Sequence, residues 1–425
     1  MRRGLILIAG LLLVLLAWWQ TALLVTGASR NRVPAAAQAL PLLRVGNADP
    51  ATLLPEILNS GEVDERALAA IERRGDPSVS AAAYFVAARY EHEHKRREPA
   101  LRFLQRALEF APDHAGLLAW HAALLRETGQ YSEAIDQAER AAQLDPNLAD
   151  AQRILGFAYY DAGRTQDAVD AWERSLRLAP SAEVKSYLDK ARRETKVEEN
   201  FAQTARGHFV LRYEGAQPRP ALIEDLLSAL ERQFEDLTRD LGSSPSAAIV
   251  VTLYRGEQFS EVTRAPSWAG AVNDGKLRVP FGDVPALTPQ IEAVLRHELT
   301  HSFVRAAAPN CPTWLNEGLA QYEEPRSSAA FAARLAEQLQ SGQATPLREL
   351  EGSFLGLSSE QAQTAYAESL AAVEYLRSAY GLTGLQHILG ALANGEDADE
   401  ALRQTTRGGY ADLQRELAIY LASRS

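Results

Sequence analysis

Behind Arg2 and Arg3, uncharged and mostly apolar residues run from Gly4 to about Val25. A run of about 20 such residues spans the hydrocarbon core of a bilayer as a helix. Residues 1–28 therefore read as a transmembrane anchor, or as a signal segment cut near Thr26-Gly27-Ala28. Residues 29–51 are rich in Pro and Ala without a period, a tether. Over residues 52–198 the apolar positions follow the three- and four-residue steps of helices, and within that stretch Pro112, Pro146 and Pro180 recur every 34 residues, as do Ala100, Ala134 and Ala168. The pattern then changes. His208–Tyr213 alternates with period two and Ala248–Tyr254 is a β-rich run, with an amphipathic helix between them over Pro220–Leu241. Trp268–Phe281 predicts a hairpin around Asn273-Asp274-Gly275, and helices follow from about Thr288, so residues 205–425 predict a small α+β domain.

A 34-residue period is that of a helix-pair repeat, in which each pair buries its apolar face only against its neighbours. Residues 81–180 resemble tetratricopeptide repeats. In the last unit the resemblance rests on Leu155-Gly156, Tyr159, Gly163, Ala168, Trp172 and Pro180; in the middle unit on Gly129, Tyr131, Ala134 and Ala141; the unit ending at Pro112 matches least. The resemblance implies an α-solenoid with a concave groove that takes a protein partner; the plain alternative is a spacer or a self-association module.

Charge and cysteine content narrow the classes. The 425 residues carry a formal net charge of −11, without the basic excess that nucleic acid selects. Cys311 is the single cysteine, so no intramolecular disulfide forms. Together with the N-terminal run, this predicts an inner-membrane protein with one N-terminal anchor and a periplasmic body, or a periplasmic protein if the segment is cleaved.

The candidate chemistry sits in His297-Glu298-Leu299-Thr300-His301, on a helix whose apolar positions are Ile291, Val294, Leu295 and Leu299. Residues i and i+4 of a helix lie about 40° apart in rotation and about 6 Å apart along the axis, so the two imidazoles can converge on one tetrahedral ion. Glu298 is then placed to act as base on a water held by that ion. A second helix opens at Pro312-Thr313-Trp314-Leu315-Asn316-Glu317-Gly318-Leu319-Ala320, with Thr313 as its expected cap.

These two segments together resemble the gluzincin metallopeptidases, and from Gly207 to the C-terminus the chain is similar to the bacterial peptidase-MA-like proteins, which join such a domain to tetratricopeptide repeats. The resemblance implies one zinc ion held by His297, His301 and Glu317, with Glu298 as catalytic base. Fifteen residues separate His301 from Glu317, fewer than in the best-known gluzincins, which keeps Glu323 and Glu324 as alternative ligands. It also implies an oxyanion-stabilising role for Tyr366 in Ala365–Leu370, against the plain alternative of a packing aromatic. Where gluzincin aminopeptidases place a glutamate for the substrate's free amine, this chain reads Trp268–Asn273 without a carboxylate. That departure points to an endopeptidase, with backbone near Gly270 pairing an extended substrate; Asp274 keeps the exopeptidase alternative open. The competing classes are a repeat-based adaptor with a non-catalytic peptidase-like domain, and a metal-dependent amidase acting on cell-wall peptides. His92 and His94 are expected to be exposed, and His114, His121 and His387 structural. Cys311 is expected to be a small buried thiol.

Overall fold

The computed structural model describes residues 50–215, 220–263, 271–273, 275–281, 284, 286–354, 357–406 and 408–424. The apolar run at residues 4–25 and the tether up to residue 49 lie outside the described residues, as do Trp268–Gly270 and Asp274. Among the described residues, no helix is long and apolar enough to cross a membrane. Contacts divide the chain into two compact units: among the described residues, one holds 50–199 with Ala393–Gly395 and the other 200–392 with 396–424, less the residues not described.

The first unit is helical apart from the two-residue strands β1 (Leu58–Asn59) and β2 (Glu62–Val63). After α1 (Pro50–Ile57) and α2 (Glu65–Glu72) come three helix pairs: α3 (Pro77–Glu93) with α4 (Arg97–Phe110), α5 (Ala115–Glu127) with α6 (Tyr131–Leu144), and α7 (Ala149–Asp161) with α8 (Thr165–Leu178). The closing helix is α9 (Ala182–Glu198). Ala100, Ala134 and Ala168 are each fully buried, which lets neighbouring helices approach. At Gly156 a Cβ would lie 2.4 Å from the Trp172 ring, so only glycine fits. The chain turns between paired helices in the left-handed region at three positions 34 residues apart: Lys95 (φ 64°), Gly129 (φ 78°) and Gly163 (φ 76°). Glycine adopts this conformation freely, whereas a side chain costs about 1–2 kcal/mol. The weak match of the first unit thus includes a strained lysine. Lys95→Gly is expected to stabilise this unit by about 1 kcal/mol, read as a raised unfolding midpoint in a denaturant titration.

A polar ladder with the same period joins successive repeats. His92 Nε2 meets Glu127 Oε2 at 3.0 Å, Arg126 Nε donates to Asp161 Oδ2 at 2.6 Å, and Tyr160 Oη donates to Glu194 Oε1 at 2.5 Å. His92, Arg126 and Tyr160 are the same repeat position, 34 residues apart. This corrects the expectation for His92, which is buried, because the next repeat covers it; His94 and His387 are exposed. His114 caps α5 by accepting from Leu117 N, and His121 is buried.

The second unit holds a five-stranded mixed sheet in the order β3 (Phe201–Arg206), β4 (Phe209–Glu214), β5 (Ile249–Tyr254), β7 (Leu277–Pro280), β6 (Val272–Asn273). β4, β5 and β7 run parallel; β3 and β6 are antiparallel edges. Every residue of β5 is buried, as a central parallel strand covered on both faces requires. The crossover from β4 to β5 is α10 (Pro220–Leu241), whose Leu222, Leu226, Leu230, Phe234, Leu237 and Leu241 bury one stripe. A short helix, α11 (Gly256–Thr263), leads on toward β7. Helices then complete the unit: α12 (Pro289–Ala307), α13 (Thr313–Glu323), α14 (Ala332–Gln340), α15 (Ser359–Ala393, broken at Gly381), α16 (Ala398–Thr406) and α17 (Tyr410–Ala422). β3 was not anticipated. Its residues FAQTAR alternate weakly because it is a half-exposed edge, and its six pairs with β4 define it.

Candidate metal centre

α12 starts sharply, with Pro289 in its first turn and the Thr288 side chain accepting from Ile291 N. Leu295, Leu299 and Phe303 bury its apolar stripe in the core of the unit. The opposite stripe is equally buried although it carries His297, Glu298 and His301, at 4%, 4% and 1% exposure. Buried polar groups need partners. The sheet edge supplies one anchor: Asn273 of β6 donates to the Glu298 carbonyl at 2.6 Å and to Ser302 Oγ at 2.7 Å.

α13 brings the carboxylate. Thr313 is its first residue and does not cap it; Pro312 holds the cap position, and Trp314 Nε1 donates to Tyr410 Oη at 2.9 Å to fix the helix against α17. A Cβ at Gly318 would lie 2.3 Å from the Ser369 carbonyl of α15, so α13 and α15 touch through glycine beside the site. Glu317, 3% exposed, then faces α12. One nitrogen each of His297 and His301 and an oxygen of Glu317 lie within 4.8 Å of one another. His301 Nε2 is 3.9 Å from Glu317 Oε2, and the imidazoles stand edge to face with centroids 4.9 Å apart.

The hydrogen bonds define which atoms face the centre. His297 Nδ1 donates to Glu324 Oε2 at 3.0 Å, and His301 Nδ1 donates to Asn316 Oδ1 at 3.0 Å. A carboxylate and an amide carbonyl only accept, so both Nδ1 atoms carry a proton, and in the neutral imidazoles that a cation requires both Nε2 atoms present lone pairs. His297 Nε2, His301 Nε2 and Glu317 Oε2 are buried and have no hydrogen-bond partner. Three orphaned donor atoms of zinc's preferred types, with outer partners on both imidazoles, fit one tetrahedral cation with an open fourth position.

Electrostatics agrees with that reading. Burial pushes Glu317 up to about 8, only partly opposed by His297. Burial and the charge of His297 push His301 down to about 3. Burial also disfavours charge on His297, but the bond to Glu324 and its negative charge outweigh this and raise it. A buried cluster so unfavourable in its own charges gains most from a cation.

Glu323 and Glu324 are not in the cluster. Glu323 pairs with Arg296, and Glu324 stands behind His297, itself held by Arg326 Nη2 at 2.7 Å. The sequence reading offered these glutamates as ligands and missed the outer roles of Glu324 and Asn316. The available signal was helical spacing, since Glu317 and Glu324 are seven residues apart on one face. For any divalent cation the cluster takes up, Glu324→Gln is expected to weaken affinity by about 10–100-fold, measured by competition with a chelating dye.

Tyr366 is buried on α15, edge to face with Phe354 at 5.3 Å, and its carbonyl accepts from Gln321, one turn beyond Glu317. Cys311 is half-buried, and burial raises its thiol pKa. Glu368 is fully buried on α15; burial lifts it to about 8 against a single bond from Gln414. A carboxyl raised in the folded state is neutral at low pH and loses stability as pH rises toward and through about 8. Glu368→Gln is expected to remove that decline, so the two melting-temperature profiles should diverge progressively between about pH 4.5 and 8 and run parallel above that.

Family models match segments of both units. Residues 231–417, which contain every residue of the cluster and its outer partners, match the Peptidase MA superfamily. Residues 122–163 match a TPR repeat family and residues 149–182 the tetratricopeptide repeat. The chain is 34% identical over 85 residues to small glutamine-rich tetratricopeptide repeat-containing protein 2 of Mycosarcoma maydis, covering 20% of this chain and 24% of that protein. It thus spans about a quarter of the length of that relative. Among solved structures it is similar to the Sgt2 TPR domain from Aspergillus fumigatus (23% identity, 30% of this chain and 86% of that one, TM-score 0.28). It is also similar to the Arabidopsis OM64 TPR domain (18% identity, 27% and 94%, TM-score 0.26).

Proposed function

We propose that the second unit is a zinc-dependent peptidase of gluzincin type, and that the repeats recruit its protein substrate or a partner. The observation that carries this is the convergence of three buried, partnerless donor atoms from His297, His301 and Glu317 beside Glu298. A bound zinc would supply Lewis acidity and lower the pKa of a held water to about 7.

The chain's own residues would do the rest. Glu298 would take the proton of the attacking water and return it to the leaving amine, while Tyr366 would donate a hydrogen bond to the oxyanion. Glu324 and Asn316 would hold the imidazoles with Nε2 inward. β6 is a sheet edge tied to α12 through Asn273, so an extended peptide pairing along that edge would pass the site, which supports endopeptidase action. Residues 4–25 would tether this body on the outer side of the inner membrane. Zinc content by atomic absorption, with cleavage of an unfolded protein such as casein, tests the reading. One zinc per chain with chelator-sensitive cleavage supports it; one zinc with no cleavage of any substrate tried would favour a repeat-based adaptor.

A further inference from the structure

A second cavity, of about 550 Å3, lies in the same unit among the end of α13, the turn before α14, α14 itself and α15. That volume is in the range of small-molecule sites, about 300–1,000 Å3. Most of its exposed wall area is apolar, with Phe331, Leu335, Ala367 and Leu370 among the lining residues. Two guanidiniums, Arg326 and Arg334, join the neutral polar side chains of Gln321, Ser327, Gln338, Gln363 and Thr364 in the lining, and none of its lining residues is acidic.

The arginines have partners that leave them able to receive an anion. Arg334 Nη2 is 3.1 Å from Glu360, but the side chains are 60% and 80% exposed, and such pairs are worth little in water. Arg326 meets Glu324 through Nη2, and the fork of a guanidinium carries further donors suited to a carboxylate. An apolar chamber with cationic groups and no acid selects an apolar body with one anionic head.

From this we infer that the cavity binds a medium-chain or aromatic monocarboxylate, its body between Phe331, Leu335, Ala367 and Leu370 and its head on Arg326 and Arg334. Because Arg326 also steadies Glu324, the partner of His297, an occupant would share a guanidinium with the outer support of the metal cluster. The inference does not depend on peptidase activity.

The test is isothermal titration of the full chain with decanoate, 1-decanol and decylammonium, with and without 1,10-phenanthroline. The expected result is one saturable decanoate site that persists in chelator, with the alcohol and the amine at least about tenfold weaker, as loss of a charge-assisted hydrogen bond predicts. Arg334 is exposed, so Arg334→Gln keeps the fold, and it should weaken decanoate by about tenfold. No saturable binding, equal binding of decanol, or unchanged binding in the Arg326→Gln/Arg334→Gln double variant would overturn the inference. So would binding lost on chelation, which would place the carboxylate on a metal at the His297 cluster.

Discussion

Replacing Glu298 by Gln is expected to lower peptide cleavage by about 10²–10⁴-fold, the usual contribution of a positioned general base, while zinc content stays at the wild-type level. The reason lies in the division of labour on α12. His297 and His301 point Nε2 into the cluster, whereas Glu298 is not among the three groups whose donor atoms converge there. Its charge is nonetheless felt by both His297 and Glu317, which places it beside the cluster. An amide in its place is nearly isosteric and keeps the Asn273 bond, because that bond is to the backbone carbonyl. Steady-state cleavage and metal content measured on the same preparation decide it. Cleavage within twofold of wild type would remove Glu298 from the mechanism.

The second large effect concerns Glu317. With Gln at this position the site retains two imidazoles and loses its anionic donor, so zinc affinity should fall by more than the about 10–100-fold expected for an outer partner such as Glu324. Cleavage should disappear with the metal. Stability of the chelated protein should move the other way. A buried carboxyl lifted to about 8 becomes a neutral amide, so the variant should unfold at an equal or higher temperature than chelated wild type near pH 9. Opposite signs for metal affinity and chelated stability separate a lost ligand from a damaged fold. Stoichiometric zinc in Glu317→Gln after dialysis against chelator would show that another group completes the site.

Much of this was legible locally. The three- and four-residue apolar steps located α10 at Pro220–Leu241, and the 34-residue period located the helix pairs, because both patterns follow from geometry that repeats along one chain. The HELTH spacing put two histidines on one helix face for the same reason. β3 escaped notice because an edge strand needs no strong alternation, and the parallel order of β4, β5 and β7 is set by pairings between segments far apart in sequence. His92 looked exposed because its partner, Glu127, belongs to the next repeat. Thr313 looked like a cap, but the chain places Pro312 one position earlier.

The residue types able to hold a cation and move a proton were thus apparent from His297, Glu298, His301 and Glu317 in order, since helix periodicity alone brings the two histidines to one face. Whether Glu317, Glu323 or Glu324 joins them depends on how α13 docks, and that is decided by Gly318 against Ser369 and by Trp314 against Tyr410. The same docking assigns Glu324 and Asn316 to the backs of the imidazoles and leaves Nε2 facing inward. Helical spacing puts Glu324 on the face of Glu317, but which group each side chain meets is set by contacts between helices distant in sequence, and these leave no periodic trace in the chain.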